Sequence, residues 1–172
     1  MKKIMAMLLI LAVLGLAGCG TEGELDGVDD IKKEDIFAQE ESKYYVYFHR
    51  IDCADCEEAD PNVISYSSII ENVEDCATKR KIYAVLLYTA SEKPGEDTYI
   101  YREYEGSDGQ GTDGKYFVDG VTEWDDLYIG TTASLISIST NSVTGVKTAK
   151  YVAQGSEAIL QELNAQLGTC YS

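Results

Sequence analysis

Apolar and polar positions alternate along this chain in a few distinct patterns. Ile4 to Leu16 is an almost unbroken apolar run behind Met1-Lys2-Lys3. It is too short to span a bilayer as a mature helix. Residues 20–42 are mostly polar and acidic, with Thr21-Glu22-Gly23-Glu24-Leu25-Asp26-Gly27 offering little to bury, and read as a linker. Within it, Ile31 to Glu41 reads as a short helix capped by Asp29 or Asp30. Tyr44-Tyr45-Val46-Tyr47-Phe48 is aromatic and β-branched, and predicts a buried strand. Ala59, Val63, Tyr66, Ile70 and Val73 then recur at steps of four and three, which predicts a helix over 54–75. Ile82 to Tyr88 is a second buried strand. Strand, helix and strand at this spacing form a βαβ unit with parallel strands and a right-handed crossover.

Residues 91–120 break the pattern. They are acidic and glycine-bearing, with short extended or helical pieces expected at Thr98 to Tyr104 and Lys115 to Val118 around a solvated loop from Ser107 to Gly114. Asp108 and Asp113 do not have the spacing of an EF-hand loop, so no metal is assigned there. Regularity returns at Ser134-Leu135-Ile136-Ser137-Ile138. Turn formers at Thr140 to Gly145 and a strand from Val146 to Val152 complete a β-hairpin. Ser156 is placed to cap a last helix reaching Leu167, with Ile159, Leu160, Leu163 and Leu167 on one face and Gly168 as its stop.

The N-terminal run ends in Leu16-Ala17-Gly18-Cys19, which looks like a lipobox. The expected processing removes residues 1–18 and leaves a diacylglyceryl group on Cys19. The chain is then lipid-anchored to the cell membrane on its extracytoplasmic side, with residues 19–42 as lipidated Cys and acidic linker and 43–172 as one domain. The whole chain carries 14 Lys and Arg against 30 Asp and Glu. The segment before Cys19 holds Lys2 and Lys3 and no acid, so the remainder has a formal charge of −18. Such a body repels nucleic acid and anionic lipid surfaces. Cys53, Cys56, Cys76 and Cys170 remain, an even number in a compartment that permits disulfides.

Cys53-Ala54-Asp55-Cys56 falls between a predicted strand and a predicted helix. A helix N-terminus stabilises a thiolate on the first Cys, and the second lies close enough to attack a mixed disulfide on it. Pro61 follows five residues later. The segment from Val46 to Cys56, with Pro61, resembles the active-site strand and helix of the thioredoxin family. The later run Tyr116 to Ile129, followed by Ser134-Leu135-Ile136, is similar to thioredoxin-like accessory proteins of Gram-positive bacteria. The likeness covers nearly all of residues 43–168.

The resemblance implies a thioredoxin-like α/β fold, a central mixed sheet flanked by helices, with the acidic Gly-rich segment as an insertion. It implies a thiol–disulfide oxidoreductase with Cys53 as nucleophile and Cys56 as resolving thiol. Its partners would be thiols or disulfides of secreted or cell-surface proteins and a membrane electron donor. No cofactor and no metal are expected, and His49 reads as a loop residue near the motif. In such a fold the ends of the first and last helices meet, which brings Cys76 and Cys170 together as a structural disulfide; two free thiols are the alternative.

The sequence also departs from the family. Thr132 and Ala133 occupy the substrate loop, where the family has a cis-proline. A trans Thr132–Ala133 bond is expected, because a non-proline cis bond costs about 2.5–4 kcal/mol. Tyr47 stands where many thioredoxins hold a buried acid, and Asp52 where an aromatic residue often precedes the first Cys. Asp52, Asp55, Glu57 and Glu58 crowd the motif and offset the helix terminus, so Cys53 is expected to be a poorly stabilised thiolate. These departures sustain a second reading, a thioredoxin-fold binding or accessory lipoprotein whose CxxC disulfide is structural.

Overall fold

The computed structural model describes residues 23–88 and 102–171. The expected signal segment, Cys19, and residues 98–101 of the extended or helical piece expected at Thr98 to Tyr104 lie outside them. Five strands form one sheet: β1 (Asp29–Asp30), β2 (Lys43–His49), β3 (Lys81–Leu86), β4 (Ser134–Thr140) and β5 (Lys147–Gln154). Their order is β1-β3-β2-β4-β5. The first three run parallel, and β4 and β5 pair antiparallel to their neighbours. Helix α1 (Ala54–Asn72) crosses from β2 to β3, and α2 (Ser156–Leu167) follows β5. A βαβ unit joined to a ββα unit through a central β2 is the thioredoxin-like α/β arrangement. The identity and order of these elements follow the hydrophobic pattern closely.

The central strand shows why. Six of its seven residues are buried, so both faces of β2 carry large apolar side chains. Tyr45 and Tyr47 face α1 and α2, against Ala59, Val63, Tyr66, Ile159 and Leu163. Tyr44, Val46 and Phe48 face the other side. Both helices pack on the first face. Among the described residues the second is covered by Ile36 and by Tyr116, Val118, Leu127 and Ile129. The segment between β3 and β4 is therefore only partly a solvated insertion. Ser107, Asp108, Thr112 and Asp113 are exposed, but Tyr116 and Val118 are fully buried and close the core.

Residues 23–42 also differ from the linker reading. Asp29–Asp30 adds a strand beside β3, and Ile31 N–H continues it by donating to Ala84 O at 2.9 Å. Ile31 to Glu41 is not an α-helix; it holds one 3-10 turn at Lys33–Asp35. Leu25, Val28 and Ile36 are buried, and Tyr44 donates its hydroxyl to Ile36 O at 2.6 Å. The physical reason is the uncovered sheet. Without this segment β3 would present unpaired backbone groups at an edge, and the second face would lose Ile36 from its core. The ordered unit thus begins before Lys43.

Helix α1 ends at Asn72 and passes through a 3-10 turn at Glu74–Cys76, slightly short of the expected end. Helix α2 has Gly155 as its N-cap, at φ 79°, a left-handed conformation that suits glycine. Ser156 does not cap. Its hydroxyl donates to Glu58 Oε2 at 3.0 Å and ties the start of α2 to α1. Tyr44, Tyr45 and Tyr47 of the predicted buried strand, Tyr66 of the apolar helix face, and Tyr116 are all fully buried. Each hydroxyl finds a partner, so the rings bury apolar area without leaving a polar atom unpaired.

Candidate active site

The chain leaves β2 and turns sharply before α1. Asp52 sits in the turn at φ 55°. Left-handed backbone is tolerated by Asp far better than by a bulky aromatic side chain, which accounts for an acid at this position. Cys53 is the N-cap of α1. Its sulfur accepts from Cys56 N–H at 3.2 Å, and its carbonyl accepts from the N–H groups of Cys56 and Glu57. Cys53 and Cys56 are joined as a disulfide, with Cα atoms 5.2 Å apart. Both are buried, Cys53 at 6 % exposure and Cys56 at 1 %. Cys53 is the more accessible of the two.

The loop before β4 packs on this sulfur. Thr132 Oγ1 lies 3.3 Å from Cys53 Sγ, and both Thr132 and Ala133 are buried. The Thr132–Ala133 peptide bond is cis, not trans as the sequence led us to expect. The surrounding bonds fix the loop on both sides. Gly155 N–H donates to Ala133 O at 2.9 Å. Ser134 Oγ donates to Thr131 O at 2.6 Å, and Tyr116 OH reaches both Ser134 Oγ and Thr131 O. An energetic preference counted for an isolated peptide bond omits this set of partners. Tyr116 and Ser134 brace this loop, a role that sequence reading missed, since neither carries a motif.

Beneath the disulfide lies a polar cluster on the α1 face of the sheet. Tyr47 donates its hydroxyl to Asp60 Oδ1 at 2.7 Å. Burial raises the carboxyl of Asp60 above its ordinary range; the Tyr47 bond and nearby His49 oppose that rise, and Glu57 adds to it. Burial, the bond to Asp60 and the neighbouring acids hold the Tyr47 phenol far above its usual value. His49 is the last residue of β2 and not a loop residue. It is 2 % exposed, its ring stacks on Tyr47 with centroids 5.5 Å apart, and its Nε2 faces Asp30 Oδ1 at 3.8 Å. The position expected to lack an acid therefore has one supplied from the helix.

The acids around the motif stand where their spacing put them. Asp55 and Glu57 lie in the first turn of α1. Asp55 also borders an open groove of about 520 Å³ with Gln154, Gly155, Ser156, Glu157, Ala158 and Gln161. Far along the chain, Cys76 and Cys170 form a second disulfide, with Cα atoms 5.2 Å apart. Trp124 packs its ring 6.3 Å from Phe48, with the Arg102 guanidinium 5.6 Å from its centre. Asp108 accepts from Tyr104 OH and Asp113 from Lys115 N–H, so both serve the loop itself. Among the described residues no three His, Cys, Asp or Glu side chains converge on a metal position.

Neither a protein-family model nor a curated protein matches this chain. Among solved structures it is similar to the Trx4 domain of ERdj5, at 11 % identity and a TM-score of 0.42, over 83 % of this chain and 97 % of that one. Strand order and connectivity define the fold. What the chain holds is a thioredoxin-like fold with a CxxC disulfide at the start of its first helix.

Proposed function

We propose that this chain is a membrane-tethered, extracytoplasmic thiol–disulfide oxidoreductase acting on secreted or cell-surface proteins. One observation carries the reading: the Cys53–Cys56 disulfide opens α1 with the Thr132–Ala133 loop seated on its outer sulfur. In the reduced state Cys53 thiolate attacks a substrate disulfide and releases one substrate thiolate. Cys56 then attacks Cys53 Sγ, closes the internal disulfide and releases the second. Two electrons pass from the CxxC dithiol to the substrate, and a membrane electron donor restores the dithiol. Run backwards, the same steps oxidise a substrate.

The lipobox-like tetrapeptide ending at Cys19 supports the tether and the compartment. Burial of Cys56 favours the competing reading, a binding module whose CxxC only closes a turn. A C56S variant separates them. It is expected to trap a mixed disulfide between Cys53 and a peptide disulfide, visible as an added mass on the protein, while C53S traps none. An absence of adducts and of any peptide-disulfide reduction by the wild-type protein would leave the binding module as the function.

A further inference from the structure

The segment between β3 and β4 holds rings that the core does not use. Phe117 packs against the second core, but Tyr104 and Tyr128 are part of neither core and stay half-buried at the surface. Their backbone is nonetheless fixed. Phe117 and Tyr128 exchange two backbone bonds of 3.1 and 3.0 Å, and Tyr104 N–H donates to Lys115 O at 2.9 Å. Tyr104 stacks on Phe117 with ring centroids 4.8 Å apart and meets Tyr128 edge-on at 5.4 Å. With residues 120–122 and the exposed carboxylates of Asp119 and Asp126, the three rings line a surface pocket of about 380 Å³. One wall is tied to β5. Gly120 N–H donates to Ala149 O at 2.9 Å, Ala149 N–H donates to Val121 O at 2.8 Å, and Asp119 Oδ1 accepts from Tyr151 N–H at 2.7 Å. The pocket is therefore formed before anything enters it, which lowers the ordering cost of binding.

Residues 116–132 hold four acids, Asp119, Glu123, Asp125 and Asp126, and no Lys or Arg. Among the described residues none of Glu123, Asp125 and Asp126 forms an ion pair. One cation does come to these rings. The Arg102 guanidinium lies 4.9 Å from the centre of Tyr128 and 5.6 Å from that of Trp124, and it donates to the carbonyls of Trp124, Asp125 and Leu127. The chain thus already holds one guanidinium on this surface. The pocket beside it offers the same ring chemistry with two carboxylates, and among the described residues no Lys or Arg lines it.

We propose that this pocket receives an arginine side chain from an extended, basic segment of a partner protein. Rings and carboxylates together favour a guanidinium, which stays charged, packs on aromatic groups and donates in a planar fork. The exposure of the rim favours a polypeptide as the occupant. Asp119, Gly120, Thr122, Asp125 and Asp126 are all exposed around the pocket, and a chain lying across them covers a surface that a small free cation would leave in water. The site does not depend on the CxxC chemistry.

Trp124 is the only tryptophan of the chain, and its ring shares Arg102 with Tyr128, so its emission reports on the pocket. The full chain, in detergent at physiological salt, is titrated with the peptide acetyl-Ala-Arg-Ala-Arg-Ala-amide. A saturable change in emission is expected, and the same peptide with citrulline in place of arginine should produce none. Asp119→Asn combined with Asp126→Asn retains an acceptor for Tyr151 N–H and should weaken binding about tenfold. Tyr104→Leu should weaken it about threefold. Glu71→Gln combined with Asp75→Asn removes the same charge from exposed positions at the end of α1 and the turn after it, and should change affinity by less than about twofold. No saturable change with the wild-type chain would overturn the proposal. Equal weakening by the two double variants would also overturn it, since net charge alone would then be the cause. So would N-acetylarginine amide binding as tightly as the peptide, which would make this a small-cation site. Emission that changes with protein concentration alone would mean that a second copy covers the pocket, and would overturn it too. If Tyr104→Leu does not fold, the two double variants decide by themselves.

Discussion

Replacing both Cys76 and Cys170 by Ala removes a crosslink that spans 94 residues. In the chain-entropy model, closing a loop of that length lowers the entropy of the unfolded chain by about 16 cal/mol/K, worth roughly 4–5 kcal/mol at 25 °C. The crosslink holds the turn after α1 against the turn after α2, and Cys76 is fully buried. Total stability of a domain this size is about 5–15 kcal/mol, so the loss is a large share of it. With a urea slope near 2 kcal/mol/M, the unfolding midpoint should fall by about 2 M. Melting should drop by roughly 10–18 °C. The assay is urea unfolding of both proteins with Cys53–Cys56 kept oxidised, followed by tyrosine fluorescence and circular dichroism together. An unchanged slope with a midpoint shift under about 0.5 M would refute the entropic argument. It would mean that the two turns stay together through packing alone.

Three further outcomes are expected. Equilibration with glutathione should place the Cys53–Cys56 potential at or below about −270 mV, and Asp52→Asn or Asp55→Asn should each raise it by about 10–15 mV; a wild-type value near −120 mV would contradict the effect of the acids. Burial holds the phenols of Tyr44, Tyr45, Tyr47, Tyr66 and Tyr116 well above their ordinary value. The folded state therefore keeps protons that the unfolded state loses, and stability should fall as pH rises past about 10. Ultraviolet titration should show these rings ionising only on unfolding, and a smooth titration of all tyrosines near pH 10 in folded protein would count against their burial. Cys19→Ala should abolish labelling by a radioactive fatty acid and release the protein to the medium; retained labelling would show that the lipid sits elsewhere.

The sequence made some of these features visible and hid others for physical reasons. Strands and helices could be placed because β2, β3 and β4 are buried on the core side and α1 repeats its apolar positions every three or four residues. Cys53 and Cys56 could be placed because a thiol pair at a strand-to-helix junction has few other uses. Asp60 was hidden. One acid among many in an acidic helix carries no pattern, and only the fold shows Tyr47 reaching for it. Tyr116 was hidden because its hydroxyl braces a loop 15 residues downstream, at Thr131. Residues 25–42 read as polar because their few apolar side chains, Leu25, Val28 and Ile36, are too sparse to show periodicity. Their burial depends on a sheet face that the local sequence does not contain.

The early start of the ordered unit changes how far it can travel. Gly23 already packs at the end of the sheet that bears the CxxC: a Cβ added there would meet Leu86 and Ile51 at 2.8 and 3.0 Å. Ile51 is two residues from Cys53. Only residues 20–22 separate Gly23 from Cys19. Fully extended, that stretch of chain reaches at most about 14 Å. A leash of 24 residues would have allowed about 80 Å and a free choice of orientation. On the proposed lipidation of Cys19, so short a leash would hold the CxxC end of the domain within a few tens of ångströms of the membrane surface rather than let it range freely.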